Sequence, residues 1–176
     1  MKLFSTTFVA TLLAAPVALA AIEQLDLRKM LERADSAVLG KIEKRFTWTF
    51  EVPDLGAMEF TTLRLVGEDL VDGKAVTKDV TFIGSQAQPN SEMPAEADTR
   101  EGTAILAFTK TGKAFGMRHD AAWVIAAHGG IFRVEGGPKG EVVIGRGEGY
   151  AVETNVLAGD LRSRVAKTLA DIRQRK

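Results

Sequence analysis

The chain of 176 residues has 23 basic and 23 acidic side chains and therefore no formal net charge at pH 7. Proteins that hold nucleic acid over a broad surface usually have a basic excess, so nucleic acid is not an expected partner. The lack of cysteine excludes disulfides, thiol nucleophiles, Cys-X-X-Cys redox pairs and cysteine-ligated zinc.

The first 20 residues predict an export signal. Lys2 supplies a positive charge, residues 3–17 carry no charge, and Ala18-Leu19-Ala20 has the small-x-small pattern that signal peptidase cleaves. We expect cleavage between Ala20 and Ala21, and an exported mature chain (residues 21–176) that forms one domain and is periplasmic or secreted. The apolar run is shorter than the roughly 20 residues of a spanning helix, and no stop-transfer segment follows it. No transmembrane span is therefore expected in the mature chain.

A short helix and three strands are predicted next. Asp26 suits the N-cap position, and apolar residues follow it at helical spacing, at Leu27, Met30, Leu31 and Ala34. Residues 37–52, 57–71 and 75–84 are rich in β-branched and aromatic residues, which is typical of strands. Asp72-Gly73 predicts a type I′ hairpin turn, whose two central residues both need positive φ.

Residues 85–102 interrupt the strand pattern. They include two prolines, almost no large apolar side chain and four acidic residues, namely Glu92, Glu96, Asp98 and Glu101. Long loops of this kind are uncommon in compact domains and are usually functional or mobile. Glu92, Glu96 and Asp98 are therefore candidate ligand-binding residues.

The remaining sequence predicts further short strands and a final helix. The strands are expected at residues 103–109, 114–118, 122–127, 131–135 and 141–145, with glycines at the connections. A C-terminal helix at about 158–175 has one apolar stripe, formed by Leu161, Val165, Leu169 and Ile172. Many short strands with glycine turns indicate a mainly β barrel or sandwich, here with a short N-terminal helix and an amphipathic C-terminal helix.

Several segments resemble netrin-like (TIMP-like) OB-fold domains over about residues 34–134. Arg-Ala-Asp-Ser-Ala-Val-Leu-Gly-Lys-Ile at 33–42 is similar to the entry into their first strand, and residues 70–84, 101–108 and 131–134 resemble later strands. The resemblance implies a five-stranded antiparallel OB-like barrel that binds a protein or an oligosaccharide on one face. The metalloprotease inhibitors of this family act through an N-terminal cysteine. This chain has none, so no functional residue is transferred.

The aromatic residues of the first strand suggest where a ligand binds. Phe46, Trp48 and Phe50 share one face of the strand, and Arg45 lies on the other. OB-folds stack bases or sugars on exposed aromatic rings beside arginine, so Trp48 and Arg45 are candidate ligand-binding residues. Period-2 alternation also describes core residues. In that alternative Trp48, near the hairpin end, is the ring that reaches solvent.

Two other functions stay open. His119, Asp120 and His128 could offer two imidazoles and a carboxylate to a metal in a small metal-dependent or hydrolytic enzyme. Both histidines flank predicted turns, however, and their spacing is no known ligand motif. The basic C-terminal helix could attach a structural envelope component to anionic lipid or an acidic partner, or it could dock on its own barrel.

The sequence therefore predicts an exported, non-catalytic binding module. No serine lies in a Gly-x-Ser-x-Gly motif, and no catalytic, metal-binding or cofactor-binding residue is assigned. The expected ligand is a protein or an oligosaccharide.

Overall fold

The computed structural model of the protein describes residues 23–84, 99–126 and 129–175. The elements in chain order are α1 (Leu27–Arg33), β1 (Ser36–Val52), β2 (Gly56–Asp69), β3 (Lys74–Ile83), β4 (Ala104–Gly112), β5 (Ala121–Val124), β6 (Ile131–Gly137), β7 (Gly140–Val143), β8 (Val156–Leu157) and α2 (Ala158–Gln174). The predicted mainly β fold with two flanking helices is confirmed.

Five strands close into a barrel. The order is β1-β2-β3-β5-β4, and β4 returns to pair with β1. Neighbouring strands are antiparallel except β3 and β5, which run parallel at Val80 beside Ala122 and Thr81 beside Trp123. This departs from the uniformly antiparallel barrel of the sequence prediction. The reason is geometric, because a closed ring with an odd number of strands must contain at least one parallel pair.

A β-bulge in β1 decides which side chains face the barrel interior. The register with β2 shifts between Ile42 and Lys44. Before the bulge Ile42 faces the interior, opposite Leu65. After it Arg45 lies opposite Leu63 on that side, while Phe46 and the even-numbered residues beyond it face outward. The interior is filled by a cluster of buried apolar residues, namely Val38, Ile42, Leu63, Leu65, Val80, Phe82, Ile105, Ala107 and Ile131.

The two helices cover one outer side of the barrel. Asp26 caps α1, with its Oδ1 accepting the backbone N–H of Lys29 at 2.8 Å. The apolar stripe of α2 is buried at Leu161, Val165 and Ile172. These side chains belong to one cluster with residues of α1, β1, β4 and β6. The C-terminal helix therefore docks on its own barrel.

Two aspartates tie the start of β1 to its neighbours. Asp69 Oδ1 accepts the backbone N–H of Ala37 at 3.0 Å, and Asp69 Oδ2 accepts the hydroxyl of Ser36 at 2.5 Å. Asp35 Oδ2 accepts the backbone N–H of Thr111 at 2.7 Å. The segment that enters β1 is thus fixed to both β2 and β4.

Two local predictions are wrong. Residues 114–118 form part of a loop between β4 and β5 rather than a strand. The β2–β3 turn spans residues 70–73 and is closed by a hydrogen bond from Gly73 N–H to Asp69 C=O at 2.7 Å. Gly73 has a φ of 70° but Asp72 does not have positive φ, so this longer turn needs only one left-handed residue and is not type I′.

Candidate functional site

Four aromatic rings pack together on the outer surface of the barrel and form what we call the aromatic face: Trp48, Phe60, Phe115 and Trp123. Trp48 of β1 lies opposite Phe60 of β2 in the register, and the two rings stack with centroids 4.9 Å apart and an interplanar angle of 24°. Phe115 and Trp123 approach Phe60 at 5.3 and 5.8 Å. Phe60 is consequently buried, while the other three rings are half-buried.

The two indole N–H groups of the aromatic face are bonded within the protein. Trp48 Nε1 donates to the hydroxyl of Thr62 at 3.0 Å, and that hydroxyl lies 2.9 Å from Thr81 Oγ1. Trp123 Nε1 donates to the C=O of Gly112 at 2.9 Å. These bonds fix the orientation of both indoles. A ligand on this surface would therefore contact ring carbon rather than indole N–H.

Two loops meet beside the rings. The β1–β2 turn contains Pro53, and the β4–β5 loop of residues 113–120 contains Gly116. A Cβ added to Gly116 would lie 3.1 Å from the Pro53 side chain. Phe115 has a φ of 53°, a left-handed conformation that costs about 1–2 kcal/mol for a residue with a side chain. Its ring contacts with Phe60 and Trp123 hold it there.

The β4–β5 loop also carries the polar groups nearest in sequence to these rings. Its charged or titratable side chains are all exposed, namely Lys113, Arg118, His119 and Asp120. Together they offer hydrogen-bond donors and acceptors next to an apolar surface. Two exposed apolar side chains extend that surface. Phe46 is 43% exposed, and Ile83 of β3 lies opposite Phe60 of β2.

The predicted ligand-binding residues do not form one site in the structure. Trp48 belongs to the aromatic face, whereas the register places Arg45 opposite Leu63 on the other face of β1. At the strand edge the backbone N–H of Arg45 donates to Glu101 Oε1 at 3.0 Å. Arg45 and Trp48 are thus not brought together. The other predicted residues lie outside the described part of the chain: Glu92, Glu96, Asp98, and Ala20 and Ala21 at the expected cleavage site.

The alternative metal site involves residues that are only partly described. His119 and Asp120 are exposed in the β4–β5 loop, and His128 is outside the described residues. Within residues 23–84, 99–126 and 129–175, no three histidine, aspartate or glutamate side chains lie together as a metal site requires.

The basic side chains of α2 do not form one continuous surface. With 3.6 residues per turn, Arg164 and Arg175 lie on one flank of the buried stripe, and Arg162 and Arg173 lie on the other. Arg162 Nε is 2.8 Å from Glu68 Oε2. Neither α1 nor α2, the helices of the described chain, has the length and apolar character of a membrane-crossing helix.

A groove that the sequence did not predict is lined by residues at the start of β4 and in the β6–β7 hairpin. It encloses about 440 Å³, and Lys41, Arg133, Glu135 and Glu141 line it together with small residues. Arg133 and Glu135 form an ion pair at 3.0 Å. The lining charges are mixed in sign, so the groove does not favour a ligand of one charge.

Three of the four rings are not predicted as ligand-binding residues from the sequence. The sequence predicts Trp48 because it shares a strand face with two other aromatics. Phe60 meets Trp48 through the β1–β2 register, and Trp123 and Phe115 join the cluster through contacts with Phe60. Comparison of the chain with protein-family models, with curated proteins and with solved structures found no match.

Proposed function

We propose that the protein is an exported, non-catalytic binding module with an OB-like (netrin-like) barrel, and that it binds an oligosaccharide on the aromatic face. The strand order β1-β2-β3-β5-β4 with closure of β4 on β1 supports the OB-like assignment. OB-folds bind oligosaccharides and oligonucleotides on the face of strands 2 and 3 and through their β1–β2 and β4–β5 loops. These are the elements that surround the aromatic face.

The observation that carries the proposal is the half-exposed ring of Trp48. One side of the ring is backed by buried Phe60, and its N–H is already bonded to Thr62. What remains for a ligand is a flat, fixed apolar surface. A sugar ring has an apolar C–H face and a rim of hydroxyl groups, and it suits such a surface beside the exposed polar side chains of loop 113–120.

Charge also supports an uncharged or weakly charged ligand. The chain has equal numbers of basic and acidic residues, and the β4–β5 loop itself carries Lys113, Arg118 and Asp120 rather than a run of one sign. A strongly anionic polymer would require a basic surface.

The experiment is binding to a panel of immobilised oligosaccharides, followed by calorimetry with any oligosaccharide that binds. We expect Trp48→Ala to weaken binding about 5- to 150-fold, which corresponds to the roughly 1–3 kcal/mol that an aromatic stacking contact contributes per base in nucleic-acid complexes. Trp48→Phe should retain most of the affinity because it keeps an aromatic ring over Phe60.

Val66→Ala is the matched control. Val66 is 44% exposed and lies on the outward side of β2, as Phe60 does, but away from the rings. It should leave binding unchanged. Equal binding by wild type and Trp48→Ala, with circular dichroism showing both folded, contradicts the proposal. Trp48-dependent capture of a protein, without oligosaccharide binding, would favour the protein alternative instead.

A further inference from the structure

A second groove lies between α2, β7 and the first two strands, and we call it the α2 groove. It encloses about 290 Å³ and adjoins the groove at the start of β4, with which it shares Lys41, Ala104 and Glu141. Ligand pockets usually enclose about 300–1,000 Å³, so the α2 groove suits a small molecule rather than a polymer. The lining side chains that carry the argument are Leu39, Lys41, Val66, Glu68, Glu141 and Arg162.

The floor of the α2 groove is apolar. Ile42 and Leu65 face the barrel interior, so their chain neighbours Lys41 and Val66, which lie opposite each other in register, point outward. Leu39 is on the same face of β1 and belongs to the buried cluster that α2 covers. Val66 is 44% exposed. An aliphatic group bound in the groove would remove apolar surface of Val66 from water, which is favourable.

The docking of α2 fixes Arg162 at one end of the groove. The neighbouring Leu161 is buried, and Arg162 Nε donates to Glu68 Oε2 at 2.8 Å. This bond orients the guanidinium and uses one of its five N–H groups. Among the described residues Arg162 has no other polar partner. Its two terminal nitrogens can therefore hold a carboxylate through two parallel hydrogen bonds.

Lys41 and Glu141 bring opposite charges into the same groove. Both side chains are exposed and both line it, yet they form no ion pair with each other. A cation and an anion that reach one groove without meeting leave a gap between the two charges. A zwitterion fills such a gap with both of its charges matched, whereas a ligand of one sign would be attracted by one side chain and repelled by the other.

We propose that the α2 groove binds a free α-amino acid with an aliphatic side chain. Arg162 and Lys41 hold its carboxylate, Glu141 holds its ammonium group, and its side chain lies on Val66. Glu68 is a positioning residue that orients Arg162. The occupant is a zwitterion because the groove offers both signs of charge over an apolar floor. It is a free amino acid rather than a peptide because the groove encloses only about 290 Å³.

The test is calorimetric titration of the protein with L-leucine up to about ten millimolar, since a small ligand on an open site makes few contacts and binds weakly. Wild type should bind L-leucine with saturation. Two analogues each lack one charge: N-acetyl-L-leucine has no ammonium group, and L-leucine amide has no carboxylate. Each should bind about tenfold more weakly than L-leucine or worse, because a charge-assisted hydrogen bond is lost.

Lys41→Gln and Glu141→Gln should each raise the dissociation constant of L-leucine about tenfold. Because N-acetyl-L-leucine has no ammonium group, Glu141→Gln should not weaken its binding further. Lys167→Gln and Glu148→Gln are the matched controls. They remove the same charges from exposed side chains that do not line the groove, and they should leave the dissociation constant within about twofold of wild type, since salt screens distant charges.

Three results would overturn the proposal: no saturable binding of L-leucine, equal binding of L-leucine and its two analogues, or an unchanged dissociation constant in either groove variant when circular dichroism shows it folded. Tighter binding of the dipeptide L-leucyl-glycine than of L-leucine would also overturn it. None of these variants changes Trp48 or loop 113–120. Failure of oligosaccharide binding with leucine binding intact, or the reverse, therefore separates this proposal from the proposed function.

Discussion

Phe60 should contribute more to stability than its burial alone explains. Phe60 and Phe108 are both completely buried. Phe60 contacts three aromatic rings at 4.9–5.8 Å. Phe108 contacts one described ring, that of Phe132, at 6.1 Å. Replacing each phenylalanine by leucine removes similar volume from a similarly buried site, so the two substitutions differ mainly in the number of ring contacts that are lost.

The expected difference follows from the ring contacts. An aromatic pair contributes about 0.5–1.5 kcal/mol beyond the area that it buries. Phe60→Leu loses three such pairs and Phe108→Leu loses one, so the loss of unfolding free energy should be larger for Phe60→Leu by about 1–3 kcal/mol. The transfer and cavity contributions are comparable in the two variants and largely cancel.

The assay is equilibrium unfolding in urea, followed by circular dichroism and by tryptophan fluorescence. The chain has two tryptophans, and both rings contact Phe60. Native fluorescence should therefore change in Phe60→Leu and stay as in wild type in Phe108→Leu. If Phe108→Leu loses as much unfolding free energy as Phe60→Leu, the ring contacts do not add stability and the reasoning is wrong.

Three further predictions concern the barrel and its helices. Gly67→Ala should lower the unfolding free energy by several kcal/mol, since the added Cβ would lie 2.1 Å from the C=O oxygen of Leu39. Gly136→Ala is the control, because a Cβ at Gly136 would have no atom within 4 Å, and it should change the unfolding free energy by less than about 1 kcal/mol. Similar urea midpoints for the two variants would refute this. The backbone N–H of Lys29 lowers the pKa of Asp26, so the stability contributed by this carboxylate is present at neutral pH and is lost as pH falls through the lowered folded pKa. Asp26→Asn keeps a capping oxygen but has no carboxylate to protonate, so its melting temperature should fall less than that of wild type between pH 7 and pH 3. A fall identical to that of wild type would count against the cap. Val165→Ala should lower the unfolding free energy by about 1–3 kcal/mol because Val165 is fully buried on the side of α2 that packs on the barrel. An unchanged urea midpoint would show that α2 is not docked as described.

Local sequence patterns were sufficient for most of the strands and both helices. The first three strands alternate over long stretches, and their observed bounds differ from the predicted ones by one or two residues. The cap at Asp26 and the apolar stripe of α2 depend on neighbouring residues in the chain, and both are confirmed. Such features are predictable because the interactions that create them are short-range in sequence.

The orientation of the first strand could not be predicted. Period-2 alternation shows that Phe46, Trp48 and Phe50 share a face, but it does not show whether that face is inside the barrel. The bulge between Ile42 and Lys44 reverses the two faces, and a single extra residue leaves no clear trace in the sequence.

The loop before β5 illustrates a second reason. The strand predicted at 114–118 contains the apolar residues Phe115 and Met117. Phe115 instead takes a left-handed conformation and is held by Phe60 and Trp123. Its partners come from two other strands, so its conformation depends on tertiary contacts and not on local propensity.

The closure of β1 on β4 also bears on how the nascent chain folds. Ser36 lies opposite Thr109, so the first strand cannot complete its hydrogen bonding until a far later part of the chain has been synthesised. Bringing such distant segments together costs loop entropy before any contact rewards it, and folding is correspondingly slow in proteins of high contact order. Until the second half of the polypeptide is present, Phe60 also lacks its contacts with the rings of Phe115 and Trp123.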